Sequence, residues 1–202
     1  MPHILTLTGA TGSGKSETVN FFLKGESLPY FKPQLVSKYT TRSPRLGAEK
    51  EAICVNEIPP SCDLVYEQYQ VRYGLEKNKL FELLSCGFSP IVILNDVRVV
   101  EDVRASFGNL VRSIFIFRER PSLDKIRMLA EERGNANEQE IQRRFRKAET
   151  IFRIYIENIH IFDHVILNPR SFVDLESQVQ QIVKSLKNAE QEWPLQLRRN
   201  NL

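Results

Sequence analysis

The chain has 202 residues, of which 42% are hydrophobic and 26% charged, and it carries a formal net charge of +3. That length suits one α/β domain with a sizeable core. The mild basicity lacks the concentrated stripe of a nucleic-acid reader and suits a small anionic substrate. Cys54, Cys62 and Cys86 form no C-x-x-C pair and have no histidine at metal-ligand spacing, so they read as reduced thiols of a cytoplasmic protein. The opening residues lack the basic start of a signal peptide, and no apolar run reaches the length of a membrane span, so no membrane partner is expected.

Residues 4–8 are β-prone and break at Gly9, which predicts a buried first strand. A helix is expected over 15–24, stopped by Gly25, and a short strand over 34–38. From 47 to 73 the periodicity is weak, with Ile58-Pro59-Pro60 and scattered aromatics, and short strands and turns of a small lobe are expected. Residues 78–86 read as a helix closed by Gly87. The apolar run 90–96, ending in Asn95 and Asp96, reads as a central parallel strand buried on both faces. Next come a helix over 99–106, a strand over 111–117 and a helix from Pro121 to Gly134. A long helix over 138–159 sets Ile141, Phe145, Ala148, Phe152 and Tyr155 near one stripe. A strand over 163–168, a helix over 175–186 and a loosely ordered tail complete the chain. Strands alternating with helices predict an α/β fold with a central parallel sheet covered on both faces.

Between the first strand and the first helix stand Gly9, Ala10, Thr11, Gly12, Ser13, Gly14, Lys15 and Ser16. They match G-x-x-x-x-G-K-[ST], the Walker A loop, in the context that motif needs. Glycines let backbone N–H groups close around phosphate oxygens at a helix N-terminus. Lys15 would reach the β/γ-phosphates and Ser16 would hold Mg2+. ATP and Mg2+ are therefore the expected cofactors, and the fold narrows to a P-loop NTPase with three α/β/α layers. Asp96, at the end of its strand, is placed as the second carboxylate of the metal site, a role compatible with N-capping the next helix.

The stretch Ser37-Lys38-Tyr39-Thr40-Thr41-Arg42-Ser43-Pro44-Arg45 follows a predicted strand. Guanidinium forks match phosphate oxygens in pairs, so beside a Walker A loop Arg42 and Arg45 read as a grip on an acceptor's phosphate; alone they would read as a solvated loop. A base-reading N-K-x-D is absent, because Asn78-Lys79 is followed by Leu80-Phe81. The reading is a small-molecule kinase rather than a GTPase.

Over nearly its whole length the chain resembles the guanylate kinase family. The carriers are GATGSGKS, YTTRSPRLG, the Tyr73-Gly74 pair, IVILNDV, IFIF, LAEERG, EIQRRFRKAE and DHVILN. The resemblance implies phosphoryl transfer from ATP to GMP on a core (1–36, 88–132 and 160–188), an acceptor lobe (about 37–87) and a lid (about 133–150), with 189–202 as a tail. It implies that Lys38, Arg42, Arg45, Glu49 and Tyr73 hold the acceptor. Arg133 and Arg144 would join Lys15 in neutralising the transferring phosphoryl group, and Asn168 would lie near the adenine. The implied partner is a small phosphate acceptor, GMP or a sugar phosphate, with no nucleic acid and no membrane, in a monomer or homodimer.

The small lobe departs from the family. Glu49 stands one place beyond the usual G-E pair, and no tyrosine occurs in Lys50-Glu51-Ala52-Ile53-Cys54-Val55. The guanine-reading glutamate is replaced by Val65 or a neighbour, with Glu67 close by, and Leu75 stands where the family has a hydroxyl. A sister family, the ribose 1,5-bisphosphate kinases, shares KYTTR and the Gly47–Glu49 spacing. A non-catalytic protein-binding module of the same fold would typically lack the lysine that this chain keeps at position 15.

Overall fold

The computed structural model describes residues 2–10, 12–24, 31–43, 51–68, 70–118, 122–131, 137–168 and 171–199; the side chains of 125, 129, 140, 147 and 188–199 fall outside that description. Thr11, Arg45, Glu49 and Arg133 lie outside the described residues.

Five parallel strands form the main sheet. β1 (Ile4–Gly9) is its centre, between β7 (Ser89–Ile93) and β8 (Val111–Phe117), with β2 (Pro33–Leu35) beyond β7 and β9 (His164–Leu167) beyond β8. β1 and β7 are buried along their whole length, as runs of isoleucine, leucine and valine in doubly covered strands must be. One layer of the core joins Leu5, Leu7, Ile91, Ile114 and Ile166 to Val19 and Phe22 of α1 (Lys15–Lys24) and to Leu175, Val179 and Leu186 of α6 (Phe172–Arg199). On the other face Ile4, Val92 and Leu94 meet Val99, Val100 and Val103 of α3 (Val97–Phe107) and Leu80 of α2 (Lys77–Ser85). This is the expected three-layer α/β/α arrangement with a central parallel sheet.

A second sheet of four strands has the order β4 (Ala52–Cys54), β3 (Lys38–Thr40), β6 (Val71–Leu75), β5 (Leu64–Gln68). The strand expected over 34–38 is thus two strands in different sheets. Leu35 pairs with Ile91, whereas Tyr39 pairs with Gly74; the backbone changes partners at Val36-Ser37 and crosses between the sheets there.

α2 ends as its sequence predicts. Gly87 adopts φ +82°, and Gly87 N–H and Phe88 N–H donate to Leu84 O and Leu83 O, the paired bonds of a glycine C-cap. Asn137 caps α5 (Glu138–Glu157) by accepting from Gln139 N–H at 2.9 Å. α5 lays Phe152 on Phe117 and stacks Tyr155 on Phe115 with centroids 4.1 Å apart. α4 (Leu123–Glu131) and α5 bury Ile126, Ala130, Ile141 and Ala148 between them, and Ala10 packs against this cluster. The tail is a correction: the backbone of α6 continues as helix to Arg199, through an Ala-Glu-Gln-Glu run of good helix formers.

Candidate active site

The Gly9–Ser16 loop leaves β1 at its C-terminal end and turns into α1, the position where open parallel α/β sheets bind ligands. Gly12 and Gly14 have φ of +80° and +97°. At Gly14 a Cβ would stand 2.2 Å from Asn168 Nδ2; at Gly9 it would meet Ile116 O at 2.6 Å and Ser13 Oγ at 2.7 Å. The glycines are therefore dictated by close approach as well as by backbone conformation.

Two neighbours hold the loop's carbonyls. Asn168, just past β9, donates from Nδ2 to Ser13 O at 2.8 Å, and Arg118, just past β8, donates from NH1 to Gly12 O at 2.6 Å. Both tie the loop to the ends of neighbouring strands, and Ser13 N–H donates within the loop to Ala10 O at 3.1 Å. Arg118 was not singled out in the sequence, since an arginine after a strand carries no signal until the strand's neighbours are known. Lys15 Nζ donates to Gly9 O at 2.8 Å and to Ala10 O at 2.7 Å. Ser13 Oγ is buried without a hydrogen-bond partner, an expensive state for a hydroxyl unless something else meets it. A bare glycine cradle, an ammonium at its mouth and an orphaned hydroxyl fit a nucleotide's phosphates. Ser16 Oγ donates to Glu51 Oε1 at 2.5 Å, an all-oxygen donor pair of the kind a divalent cation accepts.

The small sheet carries the other candidates. Lys38 is buried, donates from Nζ to Ile93 O at 2.6 Å and lies 5.0 Å from the Tyr73 ring centroid. Tyr73 stacks on Tyr66 with centroids 5.1 Å apart. Burial, then the neighbouring Tyr73 and Asp96, pushes the Tyr66 phenol far above its ordinary range, so it stays protonated at any physiological pH. Arg42 Nε and Asn95 Oδ1 are buried without partners, and Gln68 Nε2 donates to Asn95 O at 3.3 Å. Strand alternation sorts β5: Leu64, Tyr66 and Gln68 turn inward, while Val65 and Glu67 are exposed. Val65 and Glu67, the positions considered for the missing base reader, therefore point away from the stack, and Tyr66 and Gln68 take the inner face. Asp96 accepts from Arg98 N–H at 3.0 Å as the N-cap of α3. Arg144 is half-buried on α5.

A guanylate kinase crystal structure from Anaplasma phagocytophilum superposes with a TM-score of 0.62 at 19% identity, covering 91% of this chain and 85% of that one. The chain has the guanylate kinase fold. A curated guanylate kinase from Synechococcus sp. (strain JA-3-3Ab) is 29% identical over 190 residues, 89% of this chain and 80% of the relative. The curated relative supports the resemblance to guanylate kinases drawn from the motifs. No family model matches the chain.

Proposed function

We propose that the chain is an ATP-dependent nucleoside monophosphate kinase that converts GMP to GDP. The observation that carries this reading is the buried, partnerless Ser13 hydroxyl in a loop where Gly9 and Gly14 leave no room for a side chain. That is an anion cradle, on the fold of guanylate kinases. The acceptor follows from the curated relative, and neither likeness favours a sugar bisphosphate kinase or a non-catalytic module.

Bound ATP and Mg2+ supply the phosphoryl group and part of the charge that neutralises it. Lys15 exchanges its bonds to Gly9 and Ala10 carbonyls for phosphate oxygens, and Ser13 Oγ gains the partner it lacks. Ser16 offers a lone pair to the cation. Arg42, Arg45, Glu49, Lys38 and Tyr73 form the acceptor grip, with the protonated Tyr66 as a donor beside them. Arg133 and Arg144 act as the lid cations; a fixed arginine at a transferring phosphoryl group is worth ~10³–10⁵ in rate. We assign residues 37–87 to the acceptor lobe and 133–150 to the lid, in a cytoplasmic protein. Among the described residues no helix is long and apolar enough to cross a membrane.

Differential scanning fluorimetry tests the nucleotide half directly. ATP with Mg2+ raises the melting temperature of the wild type, by mass action on the folded state, and leaves Lys15→Ala nearly unmoved. A protein-binding module would show no shift in either chain.

A further inference from the structure

A serine that holds a divalent cation must turn an oxygen lone pair toward the metal and still place its own proton. A neighbouring carboxylate solves this: it accepts the proton, fixes the hydroxyl's rotation and makes the oxygen a better ligand. The strand-end position points to Asp96 for that part, but Asp96 is engaged elsewhere. Its carboxylate caps α3, pairs with Arg98 at 3.5 Å and acts electrostatically on Tyr66. The carboxylate that meets Ser16 is Glu51, at 2.5 Å. Glu51 comes from the turn entering β4, and its backbone O accepts from Lys38 N–H at 3.3 Å, which ties it to the first residue of β3. Lys38 in turn reaches across to Ile93 O of the main sheet.

We propose that Glu51 is the positioning carboxylate of the cation site: it takes the Ser16 proton, and the small sheet thereby completes a metal site that the main sheet begins. The inference rests on the phosphate-loop reading above. It goes further, because the residue that orients the metal ligand stands in the turn that enters the sheet carrying Lys38 and Tyr73 of the acceptor grip. Cation binding and the placement of that sheet are then energetically linked, so the metal and the acceptor each bind more tightly in the other's presence.

The probes are Mn2+, followed by electron paramagnetic resonance, and a non-hydrolysable ATP analogue. Glu51→Ala weakens Mn2+ binding in the ternary complex by about 10–100-fold, the range of lost outer-shell partners. Analogue affinity without metal and the melting temperature of the free protein stay close to wild type. Glu51→Asp restores part of the Mn2+ affinity, and Glu51→Ala adds little when Ser16→Ala is already present. Unchanged or tighter Mn2+ binding in Glu51→Ala overturns the proposal, the tighter case identifying the contact as one the metal must displace. If the analogue fails to bind the wild type at all, the nucleotide reading falls and this inference with it. If it binds and its metal dependence ignores Glu51, only this inference falls.

Discussion

Gly14 has no room for a methyl group. Its φ is +97°, and a Cβ would meet Asn168 Nδ2 at 2.2 Å. Gly14→Ala must move Asn168 off Ser13 O and hold alanine in a left-handed conformation, at about 1–3 kcal/mol. The melting temperature should fall by several degrees, and the ATP-dependent shift should disappear. A variant that keeps both would mean the loop is less tightly specified than its geometry indicates. Arg42 presents the complementary case. Its Nε is buried and without a hydrogen-bond partner, so truncation leaves the fold little changed. Arg42→Ala should raise the acceptor KM about 10–100-fold, the worth of a hydrogen bond to a charged group, and leave the ATP KM within a few-fold. An unchanged acceptor KM removes Arg42 from the acceptor site.

At the scale of elements, β9 makes the fold's stability depend on pH. His164 opens the strand, paired in register with Ile114, and burial holds its pKa below 6.5, against the raising effect of Asp163 and with a lowering one from Arg112. The unfolded chain therefore takes up this proton more readily than the folded one. Stability from this group is full above about pH 6.5 and is lost as the pH falls through the depressed folded value. His164→Gln should flatten the difference in urea midpoint between pH 7 and pH 5; an unchanged pH profile would show that His164 does not contribute.

The elements also divide what sequence could reveal from what it could not. The glycine-bearing turn between β1 and α1, the buried runs of β1, β7 and β8, and the Gly87 cap are legible because their signals are local: glycines between a strand and a helix, an apolar run, a glycine after a helix. Glu51, Tyr66 and Arg118 are not. Glu51 reaches Ser16 only because β4 pairs beside β3, and Tyr66 faces inward only in the register that sets it opposite Tyr73. Arg118 gains meaning only when β8 lies next to β1. Each depends on long-range pairing, which local patterns do not encode. The break at Val36-Ser37 escaped for the same reason: both halves are β-prone, and only the change of partner separates them.

On the scale of the whole molecule, the two sheets divide the chemistry. The main sheet presents the Gly9–Ser16 loop at the C-terminal end of β1. The small sheet carries Lys38, the Tyr66–Tyr73 stack and Glu51, and polar ties to the main body run through Ser16, Ile93 and Asn95. Phosphoryl transfer needs the two phosphates held in line with water kept out, and the proposed transfer would draw its donor site from one sheet and its acceptor site from the other. The acceptor is the claim on which the account turns. ADP release from ATP and Mg2+ should be measured with GMP beside AMP, CMP, UMP and ribose 1,5-bisphosphate, in the wild type and in Lys15→Ala. The account predicts turnover with GMP well above the other acceptors, lost in Lys15→Ala. Turnover with the sugar bisphosphate and none with GMP would contradict it.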